Sequence, residues 1–200
     1  MNLNVCILDY GNGNVRSISN MLTRLNISNK ISNLESDIIF ASHLILPGVG
    51  AFKHAMKKIT KNIPLEILKN QVFNKKKPFL GICVGMQVLF ESSDEFELTS
   101  GLNWISGKIT KLSSKDHPLP HIGWNEIYNI TPNDLTINID KEDFYFVHSF
   151  GLTNVKNISS VAFTNYGNDF SSIIKLDNIC GVQFHPEKSQ KAGENLIKNF

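Results

Sequence analysis

The nine residues Phe79-Leu80-Gly81-Ile82-Cys83-Val84-Gly85-Met86-Gln87 constrain this chain more than any other stretch. They read as a buried strand that breaks at a cysteine and turns at once into a helix. Lys75, Lys76, Lys77 and Pro78 precede them, so the strand enters from a solvated loop. Gly81 and Gly85 flank Cys83 two residues away on each side, the spacing of a nucleophile elbow with Cys in place of Ser. Such a turn lifts the nucleophile clear of the sheet edge, often in a strained backbone conformation. Side chains two residues before and after would collide across the turn, so glycine fits at both places. The sulfur then faces the first turn of a helix, whose free N–H groups and dipole favour thiolate over thiol. The Val84 N–H is placed to bind an oxyanion. The same residues also read as a buried cysteine at a glycine-rich turn, since free Cys is among the most buried residue types. What decides between the two lies elsewhere in the chain.

Two hundred residues suit a single domain spanning 1–200, and a 42% hydrophobic share can fill its core. A net charge of +2 with interspersed signs gives no argument for nucleic acid or an anionic membrane. Cys6, Cys83 and Cys180 are too few and too widely spaced for a disulfide framework or a zinc site, which points to a reduced compartment. Met1 to Asp9 carries no basic stretch followed by a long apolar run, and no apolar run approaches ~18 residues, so neither a signal peptide nor a membrane span is expected. A cytoplasmic protein without metal or cofactor is the expectation.

Taken in order, Leu3 to Leu8 reads as a buried strand ending at Asp9. Tyr10-Gly11-Asn12-Gly13-Asn14 is a glycine-rich loop, and Val15, Ile18, Met21, Leu22 and Leu25 recur at helical spacing behind it. The loop is half of a dinucleotide fingerprint only, because Arg16 stands where a third glycine is needed. Ile27 to Ile31 predicts a second strand, Ser36 to Phe40 a short helix, and His43 to Leu46 a third strand closed by Pro47-Gly48-Val49-Gly50, where Pro47 ends strand pairing. That loop reads as an oxyanion loop or as an ordinary turn. Ala51 to Lys61 and Leu65 to Phe73 predict helices over the sheet, and Met86 to Phe90 continues the helix behind Cys83. Gln87, one turn along, can reach a substrate held over the sulfur. From Ser100 the pattern turns strand-rich. Trp104-Ile105, Ile109 to Leu112, His121 to Tyr128, Asp143 to Val147, Ile158 to Phe163 and Ser172 to Leu176 read as successive strands. A last strand, Ile179 to Phe184, runs into His185-Pro186-Glu187-Lys188-Ser189, with Ser189 placed to cap a final helix. Alternating βα units followed by strands predict one α/β domain with an antiparallel extension.

His185 and Glu187 sit two apart just beyond that strand, on the same side of extended chain. The glutamate can hold one imidazole nitrogen and leave the other aimed at a thiol, which gives nucleophile, base and orienter in the order Cys, His, Glu. Taken alone, His-Pro-Glu also reads as a polar strand end. Two such stretches at the carboxyl ends of strands favour a cysteine-based acyl-transfer site.

Gly81-Ile82-Cys83-Val84-Gly85-Met86-Gln87 together with Gly181-Val182-Gln183-Phe184-His185-Pro186-Glu187 resembles the class I, triad-type glutamine amidotransferases. More narrowly, Asp9 to Asn14, Pro47 to Phe52, Pro120-His121-Ile122-Gly123-Trp124-Asn125, Tyr145-Phe146-Val147-His148-Ser149 and Lys188-Ser189 resemble the glutaminase subunits of imidazole glycerol phosphate synthases. The resemblance spans residues 9 to 189. It implies the class I amidotransferase, flavodoxin-like fold: a central, mostly parallel sheet flanked by helices. It implies that Cys83 attacks the carboxamide of glutamine, that His185 donates the proton to departing ammonia, and that Glu187 orients His185. Val84 with Val49 or Gly50 would form the oxyanion hole, and Gln87, Glu95 and Ser149 would hold glutamine. Ammonia would pass to a separate (βα)₈-barrel cyclase subunit in a heterodimer. Asn12, Trp124, Asn125 and Lys188 match interface or gating positions, and a flip of the Pro47–Gly50 loop would be the switch that keeps activity low until the partner binds its ligand.

The chain departs from the family pattern at Val84, where Leu is usual, at Phe150, where Tyr is usual, and at Gly101 to Ile105, which replaces a more glycine-rich stretch. These departures leave room for a related subunit that supplies ammonia for amino-sugar biosynthesis. A peptidase-like hydrolase is disfavoured by Gln87 and the Pro-His-Ile-Gly-Trp-Asn stretch, and a non-catalytic binding module by the intact Cys83, His185 and Glu187.

Overall fold

Apolar runs without alternation belong to strands covered on both faces, and such runs build the centre of the main sheet. The computed structural model describes residues 3–114, 117–154 and 159–200. Its first half alternates strand and helix: β1 Asn4–Leu8, α1 Val15–Arg24, β2 Ser28–Ser32, α2 Glu35–Phe40, β3 His43–Gly48, α3 Phe52–Asn62, α4 Leu65–Lys69, β4 Phe79–Cys83 and α5 Val84–Gln87. The second half is β5 His121–Glu126, β6 Asp143–His148, β7 Ser160–Tyr166, β8 Asn168–Leu176, β9 Ile179–Val182 and α6 Gln190–Asn199. Seven of these strands form one sheet in the order β7-β8-β9-β4-β3-β1-β2. The five from β9 to β2 are parallel, while β7 and β8 add antiparallel at one edge. The parallel part follows the flavodoxin-like order, which puts ligands outside the carboxyl ends of the strands. Every residue of β4 and β9 is buried, and α1 contributes Ile18, Met21 and Leu22 to the core.

The strand-rich half divides among three sheets. β7 and β8 turn at Gly167, whose φ of 80° suits glycine. β5 and β6 form a separate two-stranded ribbon. Lys108–Lys111 and Phe150–Gly151 join two-residue strands at Ser92–Ser93 and Thr99–Ser100 in a small four-stranded sheet. The strand expected from Ile158 begins outside the described residues; its described part starts at Ser160.

Three expectations are corrected. Strand β3 runs through Pro47 to Gly48, pairing Pro47 with Ile82 and Gly48 with Cys83. Pairing with β1 ends at Ile45, so the missing proline N–H has no strand to serve on that side. The helix behind Cys83 is a single turn that ends at Gln87. Trp104-Ile105 is not a strand, because both N–H groups bond the Leu89 carbonyl and so close the chain onto the end of that turn. Leu65–Phe73 is helical as expected but changes type, α-helical to Lys69 and π-helical over Asn70–Asn74.

Candidate active site

The elbow forms as its glycines predict. Cys83 has φ 55° and ψ −115°, a conformation that L-residues avoid and that persists only where the surroundings enforce it. A Cβ on Gly81 would lie 2.5 Å from the Gly85 carbonyl oxygen, whereas one on Gly85 would fall on the Leu46 carbonyl of β3. Gly81 is therefore required by the turn itself, and Gly85 by the neighbouring strand. With only four residues, α5 aligns few peptide dipoles, so the helix field expected at the sulfur is small.

A pocket of about 160 Å³ brings Cys83 and Val84 together with Val49, Gly50, Gln87, Glu95, Ser149 and His185. The loops after β3, β4 and β6, with the segment after β9, supply its walls. His185 Nδ1 donates to Glu187 Oε1 at 2.8 Å, and both side chains are fully buried. They do not meet along extended chain. Pro186 starts a 3₁₀ turn over Pro186–Lys188, and this turn folds the carboxylate back under the ring. Asn14 Nδ2 donates to the same carboxylate oxygen at 3.0 Å. His185 Nε2 is buried, and Cys83 favours the protonated form of the ring. Burial pulls the His185 pKa down, but the Cys83 and Glu187 partners outweigh it and push it up to about 10. The pocket thus brings a cysteine sulfur and a carboxylate-held imidazole together, a pairing that acyl transfer can use.

On the opposite wall, Asn12 Nδ2 donates to the Val49 carbonyl at 2.7 Å. The Gly50 N–H, across the same planar peptide, therefore points away from Asn12. Among the described residues, neither the Val49 nor the Gly50 N–H has an acceptor. Glu95 lines the pocket with its Oε2 taken by the Phe52 N–H at 2.7 Å, which ties it to the start of α3. Gln87 also lines the pocket, but its Nε2 is committed to the Phe150 carbonyl (2.8 Å) and to Gln183 Oε1 (3.0 Å). Ser189 does not cap α6. Its hydroxyl donates to the His185 carbonyl and accepts from the Tyr145 N–H, fastening the His185 turn to β6.

The four residues expected at a partner face separate. Trp124 is 47% exposed and meets Tyr145 edge-on, and Lys188 Nζ lies 5.2 Å from the Tyr145 ring centroid. Asn125 turns inward to the Asn165 carbonyl and the His121 ring, and Asn12 to Val49. Sequence reasoning passed over Asn14, Tyr145, His148 and Gln183. The first three lie inside motifs already picked out for their neighbours. Gln183 lies inside the Gly181–Glu187 motif as well, but its role does not show there, because what places it beside Cys83 is the register between two strands distant in sequence.

The family described as Glutamine amidotransferase class-I matches residues 6–200. The chain is 42% identical to the imidazole glycerol phosphate synthase subunit HisH of Leptospira interrogans, over 97% of each protein. It is 43% identical to HisH 2 of Vibrio vulnificus, over 99% of this chain and 94% of that one. Among solved structures, a glutamine amidotransferase superposes with a TM-score of 0.74 over 97% of this chain and 95% of that one, at 14% identity. PurLQS from Thermotoga maritima does so with a TM-score of 0.70 over 100% and 97%, at 18% identity. These two likenesses bear on the fold alone.

Proposed function

This chain belongs to the class-I glutamine amidotransferases, as the glutaminase subunit of imidazole glycerol phosphate synthase in histidine biosynthesis, and from that premise we propose that Cys83, His185 and Glu187 are its catalytic triad. The observation that carries the assignment is the strained Cys83 turn in one pocket with the buried His185–Glu187 pair. The Cys83 thiolate attacks the carboxamide carbon of glutamine, and the carbonyl electrons move onto oxygen. Val84 N–H, with the Gly50 or Val49 N–H, holds that oxyanion; loss of one such donor costs about 10²–10³ in turnover. Protonated His185 gives its proton to the departing nitrogen, the C–N bond breaks, and ammonia leaves a glutamyl thioester. His185 then takes a proton from water, which attacks the thioester and releases glutamate and Cys83. Glu187, steadied by Asn14, keeps the ring in register. Gln87, Glu95 and Ser149 hold the amino-acid end of glutamine.

The subunit implies a cyclase partner. We propose that this partner is a (βα)₈ barrel in a cytoplasmic heterodimer, that residues 1–200 are one amidotransferase domain, and that ammonia passes across the interface. Trp124 and Lys188 contribute docking surface, Asn12 orients the Val49 peptide behind it, and Asn125 holds the edge of the ribbon against Asn165. No helix among the described residues is long and apolar enough to cross a membrane. The test is glutamate release from glutamine by the purified chain, with and without the cyclase subunit and its ribulosyl substrate. Strong activation by both together is expected. Cys83→Ala should abolish hydrolysis and keep cyclase binding; hydrolysis by that variant would overturn the nucleophile assignment.

A further inference from the structure

The β9–β4 register sets a second side chain beside the sulfur. Val182 pairs with Ile82 in parallel, so Gln183 is the next position alongside Cys83. Gln183 is fully buried, and its Nε2 lies 3.7 Å from Cys83 Sγ in donating geometry. The orientation of its amide is fixed from the other end, because Gln183 Oε1 accepts from Gln87 Nε2. Gln87 is itself pinned by the Phe150 carbonyl, which also takes the His148 Nδ1 proton at 2.9 Å. A rotated Gln183 amide would set two NH₂ groups against each other, so the donor is held toward sulfur.

We propose that Gln183 is a further residue of the reaction centre, whose carboxamide N–H stabilises the Cys83 thiolate and so sets how much nucleophile the resting enzyme holds. A thiol sulfur is a weak acceptor and a thiolate a strong one, so this donor favours the charged form. The need is local. The one-turn α5 supplies little dipole to the sulfur, so a donor held by the sheet supplies what the helix does not. Gln183 also remains in place when His185 has given its proton to the leaving group. At that point the sulfur is bound to carbon, and when the thioester breaks the returning thiolate meets a donor already positioned.

This inference rests on Cys83 being the nucleophile, and its test reads the sulfur without requiring glutamine turnover. Carboxamidomethylation of Cys83 by iodoacetamide is followed by mass spectrometry from pH 5 to 10 in the wild-type chain and in Gln183→Met, which keeps length and removes the donor. A hydrogen bond to a charged group has a strength that predicts an upward shift of about one pH unit in the midpoint, and about tenfold slower alkylation below it. With the cyclase present, kcat should fall by a similar factor while KM for glutamine holds. An unshifted midpoint in a folded Gln183→Met protein overturns the proposal. Should that variant fail to fold, ¹⁵N spectra of the wild-type side-chain amides carry the test. A buried amide that titrates in step with the alkylation midpoint supports the donor, and none doing so overturns it. A shifted midpoint in a chain that hydrolyses no glutamine would sink the proposed reaction and leave this inference standing.

Discussion

Phe96 occupies the left-handed region at φ 64° with its ring 87% exposed. A bulky L-residue there costs roughly 1–2 kcal/mol, and an exposed ring recovers little of it by packing. Glycine removes that strain but adds about 0.4–1 kcal/mol of unfolded-state entropy. Phe96→Gly should therefore gain about 0.5–1 kcal/mol, seen as a rise in Tm of roughly 1–4 °C; a lower Tm would mean that the ring packs in solution. Cys83 shares the positive φ, yet a glycine there would delete the sulfur. The same backbone strain is thus dispensable at one residue and tied to chemistry at the other. Asn14 makes the opposite case, an ordinary side chain in an unusual place. Among the described residues, its bond to Glu187 Oε1 is one of two that this oxygen accepts, and Oε2 has none. Asn14→Ala should lower kcat about tenfold with little change in KM, since the His185 ring loses its steadied partner while the pocket keeps its shape. Equal loss in both parameters would place Asn14 in substrate binding.

Elements carry what single residues cannot. The β5–β6 ribbon pairs His121 with His148, where the rings meet through Nδ1 and Nε2 at 3.3 Å. His148 Nδ1 donates to the Phe150 carbonyl, so its Nε2 accepts from His121, whose own Nε2 faces the Asn125 amide. Every bond in this chain is satisfied only if both rings are neutral. Burial, first of all, drives the same result: it pulls His148 down to about 3 and His121 to about 4. Unfolded, both return toward 6.5 and bind protons that the folded state refuses. Stability should therefore fall as pH drops from about 6.5 toward 4, and be level with respect to these rings above 7. Two histidine ring resonances that stay neutral at pH 5.5 would bear this out; rings titrating near 6.5 would refute it. This arrangement was not legible in the sequence, where both histidines stood only as letters within motifs. The elbow was legible because its spacing is local, five consecutive residues from Gly81 to Gly85, although what requires Gly85 is the neighbouring strand β3. The Pro186 turn and the Ser189 fastening were misread for the opposite reason, since periodicity describes extended chain and says nothing of a hydroxyl drawn away by a neighbouring strand.

At the scale of the whole molecule, the sheet gathers the carboxyl ends of β3, β4 and β9 at one rim, so residues some hundred positions apart share one pocket. The alternating βα half foretold that rim, because parallel strands need crossovers and crossovers put their loops at one end. The strand-rich half did not disclose its division into three sheets, since short strands of similar composition carry no label for their partners. Its ribbon matters for assembly. Trp124 and Ile122 project from β5 as large exposed apolar side chains, next to Tyr145 and Lys188. Aromatic residues are over-represented among the few that dominate interface energy. Trp124 is only half buried, so its truncation forfeits part of the ~3–5 kcal/mol that a core aromatic costs. Trp124→Ala should weaken cyclase binding by about 2 kcal/mol, roughly thirtyfold in Kd. It should lower folding stability by less than about 1 kcal/mol. Titration calorimetry against the cyclase, paired with a denaturant melt of the isolated chain, separates the two effects. If the melt shifts as far as it does for a core variant such as Phe146→Ala while Kd holds, then Trp124 serves the ribbon's own packing, and the docking face must be sought on another side of the rim.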